Sequence, residues 1–371
     1  MGENTRAADE KYMRMALTLA ARGQGRTSPN PMVGAVLVRE GRVVGQGYHE
    51  RAGLPHAEVT AIRDAGPAAR GSTLYVNLEP CCHTGRTGPC TEAIIQAGVA
   101  RVVAAMRDPN PLVAGRGLAR LRAAGVEVTE GVLAGEAARL NEVFVKYITQ
   151  RLPFVVMKAA VSLDGKIATH TGASRWITGP AARERVHRLR DRYDAVMVGI
   201  GTVLQDDPSL TTRLPEGGRD PVRVILDSTA RTPPEARVLA QTSPAPTIIA
   251  TTEQAPAARI KALQIRGAEV LVCGSGPRVD VRLLMDELAR REITSVLVEG
   301  GAGVNASLLE AGLVDKVVWF VAPLIIGGRD APGPVGGRGA AALAEALRVE
   351  NVYWEQVGPD LYFEGYIVRR E

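Results

Sequence analysis

The sequence predicts an α/β fold in two consecutive domains, and three observations carry that prediction. Short runs rich in Val, Ile and Leu alternate with amphipathic stretches, the pattern of strands and helices packed in layers. The pattern breaks over 141–153 and starts afresh with LPFVVMKAAVSLDGKIA (152–168). The length, 371 residues, is more than one hydrophobic core ordinarily serves. The boundary is placed at about residue 148, giving domains 1–147 and 148–371.

In order along the chain, Asp9 to Arg22 reads as a helix capped by Asp9 and stopped by Gly23. MVGAVLVREGRVVGQGYH (32–49) reads as a β-hairpin turning at Glu40-Gly41. HAEVTAIRDAG is a short helix, and STLYVNLEP is a strand ending at Pro80. TEAIIQAG and GLARLRAAG read as helices, ARVVAAMRDP and VEVTEGV as strands. In the second half PAARERVHRLRDR is a helix, and DAVMVGIGTVL is a strand leading into a loop. PVRVILDS, TIIATT, AEVLVCG, TSVLVEGG and KVVWFVAPLIIGG are further strands with helices between them. GGRDAPGPVGGRGAA (327–341) reads as a mobile loop.

Hydrophobic residues make up 46% of the chain and charged residues 23%, which suits a globular protein with real cores. No run approaches the roughly 20 apolar residues of a membrane span. The N-terminus lacks the apolar core of a secretory signal, and Arg6 stands where a myristoylation signal has Ser or Thr. Three of the 4 cysteines share one loop, whereas a disulfide-held secreted fold spreads them. The expected compartment is therefore reducing and cytoplasmic. Cys273, inside AEVLVCG, reads as a small buried residue. The net charge of +5 with scattered arginines is either a solvated surface or an attraction for anionic small molecules such as phosphates. Neither nucleic acid nor membrane is required as a partner.

The chemistry concentrates in EPCCHTGRTGPC (79–90) and the HAE triplet at 56–58. Zinc takes imidazole nitrogen and thiolate sulfur, and a catalytic zinc keeps three protein ligands and one open position. His56 with two cysteines supplies three. Glu58, two residues on, can face water at the metal and pass its proton to a departing amine. H-x-E followed by P-C and a second Cys is the signature of zinc base deaminases. The usual P-C-x-x-C spacing fails here because residue 84 is Thr. Adjacent cysteines share a metal only with strain, so Cys81 with Cys90 is preferred and Cys82 is a bystander. His83 as a fourth ligand would instead close the site and make it structural.

With SPNPMVGAVLV (28–38), GYHERAGLPHAE (47–58) and RDPNPLVAGRG (107–117) around that loop, nearly the whole chain resembles the bifunctional riboflavin-biosynthesis deaminase-reductase family. The resemblance implies a cytidine-deaminase-like first domain with zinc on His56, Cys81 and Cys90 and with Glu58 as proton shuttle. It also implies substrate contacts from Asn30, His49, Arg86 and Asn110. Asn offers donor and acceptor to a pyrimidine edge, while His49 and Arg86 suit a ribose phosphate. Asn30 and Asn110, beside prolines, would serve as turn residues in any case. Gly88 stands where the family usually has Pro, and Cys82 where Ser is common; neither change removes a ligand.

VLVEGGAGVNASLLEAG (296–312) reads as a strand, a glycine-rich turn and a helix, an arrangement that suits a pyrophosphate and equally a plain tight turn. The resemblance again goes further, through KAAVSLDGKIA (158–168), SRWIT (174–178), TVLQDDPSLTTR (202–213), LDS (226–228) and VEGG (298–301). It implies a dihydrofolate-reductase-like second domain that uses NADPH. Ala160, Trp176, Thr202, Asp206, Ser228 and the loop Gly301, Ala302, Gly303, Val304, Asn305, Ala306 and Ser307 would lie along the cofactor. Ser174, Arg190, Leu210, Arg213 and Glu299 would meet the substrate. Lys158 and Asp206, with Glu299, are the candidates for orientation and proton supply. Ser228 and Arg231 after a strand suit a ribose 2′-phosphate, hence NADPH rather than NADH.

The expected activity is deamination of a diamino-hydroxypyrimidine carrying a phosphoribosylamino group, then reduction of its ribosyl group to ribityl, by a homo-oligomer. One rival is a nucleic-acid base deaminase with an accessory RNA-binding half. It calls for stacking aromatics, yet aromatics are 4% of the chain. The other rival is a non-catalytic module clipped by a four-ligand zinc including His83.

Overall fold

The continuous apolar run in GAVLVR is that of a strand buried on both faces. In the computed structural model, β1 (Gly34–Arg39) sends Ala35 and Leu37 into one apolar cluster and Val36 and Val38 into another. Residues 3–82, 88–111 and 113–368 are described. Contacts divide the chain into two units, Met1–Arg151 and Leu152–Glu371.

In the first unit α1 (Glu3–Ala21) precedes the hairpin of β1 and β2 (Arg42–Tyr48), which turns at Glu40-Gly41 as expected. Then come α2 (Ala57–Ala65), β3 (Thr73–Val76), α3 (Cys90–Gln96), β4 (Arg101–Ala104), α4 (Arg116–Ala123), β5 (Glu127–Glu130), α5 (Ala134–Leu140) and α6 (Glu142–Gln150). The sheet order is β2-β1-β3-β4-β5, with β3, β4 and β5 parallel. Residues of α2, α3 and α4 cover one face, and those of α1 and α5 the other. Asp9 is not a cap. The helix starts six residues earlier, and Asp9, 3% exposed, takes two bonds from Arg101 (2.7 and 2.9 Å) and one from the Tyr75 hydroxyl (2.9 Å). A buried ion pair between α1 and the sheet is a stronger use of that carboxylate than a helix end in water.

The second unit runs β6 (Phe154–Ser162), α7 (Pro180–Arg192), β7 (Ala195–Gly199), α8 (Ile200–Asp206), β8 (Val222–Leu226), β9 (Thr247–Thr251), α9 (Ala257–Ile265) and β10 (Glu269–Val272). It continues with α10 (Val281–Arg290), β11 (Ser295–Val298), α11 (Ala302–Glu310), β12 (Lys316–Ala322), β13 (Val349–Val357) and β14 (Asp360–Ile367). The sheet order is β10-β9-β8-β7-β11-β6-β12-β14-β13, parallel from β10 to β12 and antiparallel beyond. The parallel strands are near-continuous apolar runs because both faces are covered. β11 slots between β7 and β6, so Val298 lies in register with Met197 and Met157. The next residue on each side therefore brings Glu299, just past the carboxyl end of β11, beside Lys158 of β6, near the edge where α/β sheets place ligands.

Two expectations need correction, and one element was missed. The segment after β7 is helix α8, not a loop, despite Gly201. The terminal β13–β14 hairpin was not foreseen. The 327–341 stretch is irregular but tied down. Asn305 Nδ2 donates to Pro334 O (2.7 Å), Gly336 N to Ala302 O (2.9 Å) and Lys166 Nζ to Ala331 O (2.9 Å). Among the described residues no helix is long and apolar enough to cross a membrane.

Candidate active sites

The first site forms where the amino-terminal ends of α2 and α3 meet the end of β3. His56 is the residue before α2, extended at φ −72° and ψ 160°, and Glu58 lies in the first turn. Cys81 follows β3 by a few residues, and Cys90 opens α3. His56 Nδ1 lies 3.1 Å from Cys90 Sγ and 3.6 Å from Cys81 Sγ, and the three donor atoms all fall within 4.8 Å of one another. Tetrahedral zinc, with bonds of about 2.0–2.3 Å, sets its ligand atoms roughly 3.3–3.8 Å apart, so this donor set fits the ion with small adjustment. All four cysteines are free thiols, so no disulfide competes for them.

Glu58 is 3% exposed, and its Oε2 has no hydrogen-bond partner among the described residues. Burial, reinforced by the Cys81 sulfur, raises its carboxyl to about 7. The hydrogen bond with Cys81 raises His56 against the opposing effect of burial, and hydrogen bonding from Cys90 lowers the Cys81 thiol to about 4. A buried carboxyl that shares a pocket with thiol and imidazole, yet bonds none of its Oε2 lone pairs, is placed for a molecule that is not protein.

Asn30 and His49 join this site. Asn30 Nδ2 lies 3.1 Å from His49 Nε2, His49 Nδ1 is 3.2 Å from Pro55 O, and the His49 and His56 rings meet edge to face at 5.5 Å. Pro55 O can only accept, so Nδ1 carries the proton and Nε2 accepts from Asn30. Burial also holds His49 below the ordinary imidazole range. The chain just after Asn30 is anchored at Met32 and Gly34 by two residues that sequence reasoning passed over. Asn77 accepts from Gly34 N (2.8 Å) and donates to Met32 O (2.9 Å), and Asn141 bonds both Met32 N and Met32 O.

Asn110 sits in an Asp-Pro-Asn-Pro turn: its N–H donates to Asp108 Oδ1 (2.8 Å), and its carbonyl accepts from Val113 and Ala114. Arg86 and His83 lie outside the described residues. Cys82 is partly buried and takes no place among the clustered donors.

The second site is a cavity of about 900 Å³ at the carboxyl ends of β6, β7 and β11. Of the expected cofactor residues, Ala160, Trp176, Thr202, Asp206, Gly301 and Asn305 line it. The expected substrate residues Ser174, Arg190, Leu210, Arg213 and Glu299 line it too, as does Lys158. Ala302, Gly303, Val304, Ala306 and Ser307 do not; they are helix rather than the expected loop, and of α11 Asn305 reaches the cavity, while the Ser307 hydroxyl is spent on Gly303 O (3.0 Å). Only Gly300 (φ 142°) and Gly301 (φ 92°) form the turn, in a backbone region that other residues rarely adopt. Ser228 does not line the cavity either. Its hydroxyl accepts from Val279 N (3.2 Å), and its carbonyl accepts from Thr252. Arg231 borders a separate cavity of about 230 Å³, beside Arg259.

At the centre of the large cavity Arg190 grips Glu299 in two parallel bonds, Nε to Oε1 at 2.5 Å and Nη2 to Oε2 at 2.8 Å, while its Nη1 donates to Thr211 O (2.9 Å). Lys158 Nζ lies 4.0 Å from Glu299 Oε2. Despite full burial, Arg190 and Lys158 hold the Glu299 carboxyl down to about 2. Burial pushes the Lys158 amine below the ordinary lysine range, with Glu299 opposing. Ser174 Oγ donates to Asp206 Oδ1 (3.2 Å), and Trp176, 67% exposed, lies under the Arg183 guanidinium (4.7 Å). Arg175, Arg183, Arg237 and His187 are cavity residues that the sequence analysis did not single out. A roomy cleft with five guanidinium groups and a glycine turn fits a ligand carrying several phosphates, as a dinucleotide does.

Comparison with known proteins agrees with both halves. The cytidine and deoxycytidylate deaminase zinc-binding region matches residues 6–106, and the RibD C-terminal domain matches residues 153–363. Riboflavin biosynthesis protein RibD of Actinobacillus pleuropneumoniae is 44% identical over 97% of this chain and 96% of its own length. The solved structure of Acinetobacter baumannii RibD, form 1, superposes with a TM-score of 0.89 at 38% identity, over 98% of this chain and all of that one. A diaminohydroxyphosphoribosylaminopyrimidine deaminase/5-amino-6-(5-phosphoribosylamino)uracil reductase from Thermotoga maritima gives 0.86 at 39% identity, with 98% and 100% covered.

Proposed function

The chain belongs to the family of bifunctional riboflavin-biosynthesis deaminase-reductases, and from that premise we propose how its residues divide the two reactions. The first unit is a zinc-dependent deaminase, and the second is an NADPH-dependent reductase. The first substrate is the diamino-hydroxypyrimidine bearing a phosphoribosylamino group, and its deaminated product is the second, in keeping with the double name of the Thermotoga maritima relative.

His56, Cys81 and Cys90 hold zinc, which when bound supplies a Lewis acid that makes water a nucleophile near neutral pH. Glu58 Oε2 takes the proton from the attacking water and delivers it to the departing ring amine. The observation that carries this assignment is the buried, unpartnered Oε2 beside three clustered donor atoms. Asn30 reads the pyrimidine edge, its amide oriented by His49. Asn110 is a further contact, and Arg86 meets the phosphate.

NADPH, when bound in the second unit, supplies the hydride. Gly300, Gly301 and Asn305 flank it, with Ala160, Trp176, Thr202 and Asp206. Arg213 and Arg237 answer the substrate phosphate. Lys158 Nζ gives its proton to the group being reduced, and Glu299, itself clamped by Arg190, fixes the amine in place. A homo-oligomer belongs to the same reading; Tyr353 and Trp354, 50% and 66% exposed on edge strand β13, support it.

The test follows ammonia release with and without NADPH, and NADPH oxidation in parallel, on zinc-loaded protein with the diaminopyrimidine ribosyl phosphate. Ammonia without NADPH, then oxidation on its addition, is expected. Folded, zinc-bearing protein that does neither would refute the substrate. The nucleic-acid rival is not favoured, since full-length relatives carry the riboflavin name.

A further inference from the structure

Glu79 has no part in the chemistry described so far, yet its carboxylate is 3% exposed and carries an unusual load. Oε2 accepts from Asp108 N (3.1 Å) and Gly115 N (2.8 Å), and Oε1 accepts from Gly117 N (2.9 Å) and Leu118 N (3.2 Å). All four donors are main-chain amides of one segment. Two of them belong to the first turn of α4, where helix N–H groups lack partners and negative charge is favoured. The approach is so close that a Cβ on Gly117 would come within 2.0 Å of Pro80 O. Glu79 thus ties the 108–118 segment to the two residues that precede Cys81. The chain of bonds continues outward, because Asp108 Oδ1 receives the Asn110 N–H at 2.8 Å.

We propose that Glu79 is a positioning residue of the deaminase, fixing the turn that presents Asn110 to the pyrimidine against the strand end that presents Cys81. The inference rests on the deaminase reading above. Glu79 reaches substrate only through that turn, so its loss weakens substrate binding and leaves the metal and Glu58 in place. An acid is required. A carboxylate offers lone pairs to four donors, whereas an amide turns its NH2 toward two of them and leaves them unsatisfied.

Glu79→Gln tests this. We expect KM for deamination to rise roughly tenfold with kcat little changed, the signature of lost ground-state binding. Zinc stoichiometry and NADPH oxidation of the deaminated substrate stay at wild-type values, and Glu79→Asp recovers part of the KM. In a cycle with Asn110→Ala the KM effects are less than additive, because both act through one turn. Unchanged KM in Glu79→Gln, or strictly additive effects, would overturn the proposal. Should Glu79→Gln fail to fold, hydrogen exchange on the wild-type holoenzyme decides. The 115, 117 and 118 amides must be protected, and exchange at the rate of open chain overturns the proposal. Wild-type protein that releases no ammonia would refute the deaminase reading itself, a separate outcome from an indifferent Glu79→Gln.

Discussion

Glu299→Gln is the perturbation that bears hardest on the second unit. The wild-type carboxyl is held at about 2 against an ordinary value of 4.5. At 1.36 kcal/mol for each pKa unit, that gap represents about 3 kcal/mol of native-state stabilisation. The amide keeps the shape and loses the charge, leaving Arg190, 9% exposed, and Lys158 without their paired carboxylate. Breaking a buried pair on one side ordinarily costs about 3–5 kcal/mol, so the two routes agree. The three tryptophans, Trp176, Trp319 and Trp354, all lie beyond Leu152, so their fluorescence reports the second unit alone. With a urea slope of roughly 2–3 kcal/mol per molar, the midpoint should fall by about 1 M at pH 7. The sign with pH is fixed. A depressed carboxyl contributes fully above its unfolded value, near 4.5, and loses that contribution as pH falls toward 2. The gap between wild type and variant should therefore narrow through that window. Equal midpoints at pH 7, or a gap that does not shrink on acidification, would refute the reasoning.

Other outcomes follow from the same geometry. Glu58→Gln should lower ammonia release by about a hundredfold or more while NADPH oxidation of the deaminated substrate continues, since proton transfer is typically worth that much; coupled assays check both arms. Removing zinc with a chelator should abolish deamination and leave the tryptophan-reported unfolding midpoint unchanged, a comparison of urea curves. Gly117→Ala, whose Cβ would meet Pro80 O at 2.0 Å, should destabilise the first unit, read as loss of zinc retention on dialysis with the reductase unaffected.

The zinc cluster was legible because His and Cys are scarce here and their chemistry is local: three donors come from two short stretches. The Glu40-Gly41 hairpin was legible because alternation and turn residues encode it directly. Glu79 was not, since its partners are backbone amides that any sequence supplies. Asp9 looked like a cap because its true partner, Arg101, is remote in the chain. The β13 strand was silent because most of its residues are exposed, which erases the period of two. The reductase cavity gathers residues from Lys158 to Pro334, an assembly decided by strand order rather than by any motif. Of the expected glycine-loop residues, Gly301 and Asn305 line it.

The place of β6 has a consequence for how the protein is made. It is the first strand of its unit to leave the ribosome, yet its neighbours β11 and β12 are among the last: Phe154 must wait for Ser295, and Lys158 for Val318. The first unit has no such delay, since its site is complete once Asn141 has emerged to hold Met32. During synthesis the deaminase half can mature while β7, β8 and β9 form a sheet whose β7 edge stays open, an invitation to mispairing until β11 arrives. Long-range parallel pairing of this kind is slow. A nascent chain halted before residue 295 would be a finished deaminase trailing an unclosed sheet, the species on which chaperones would be expected to act.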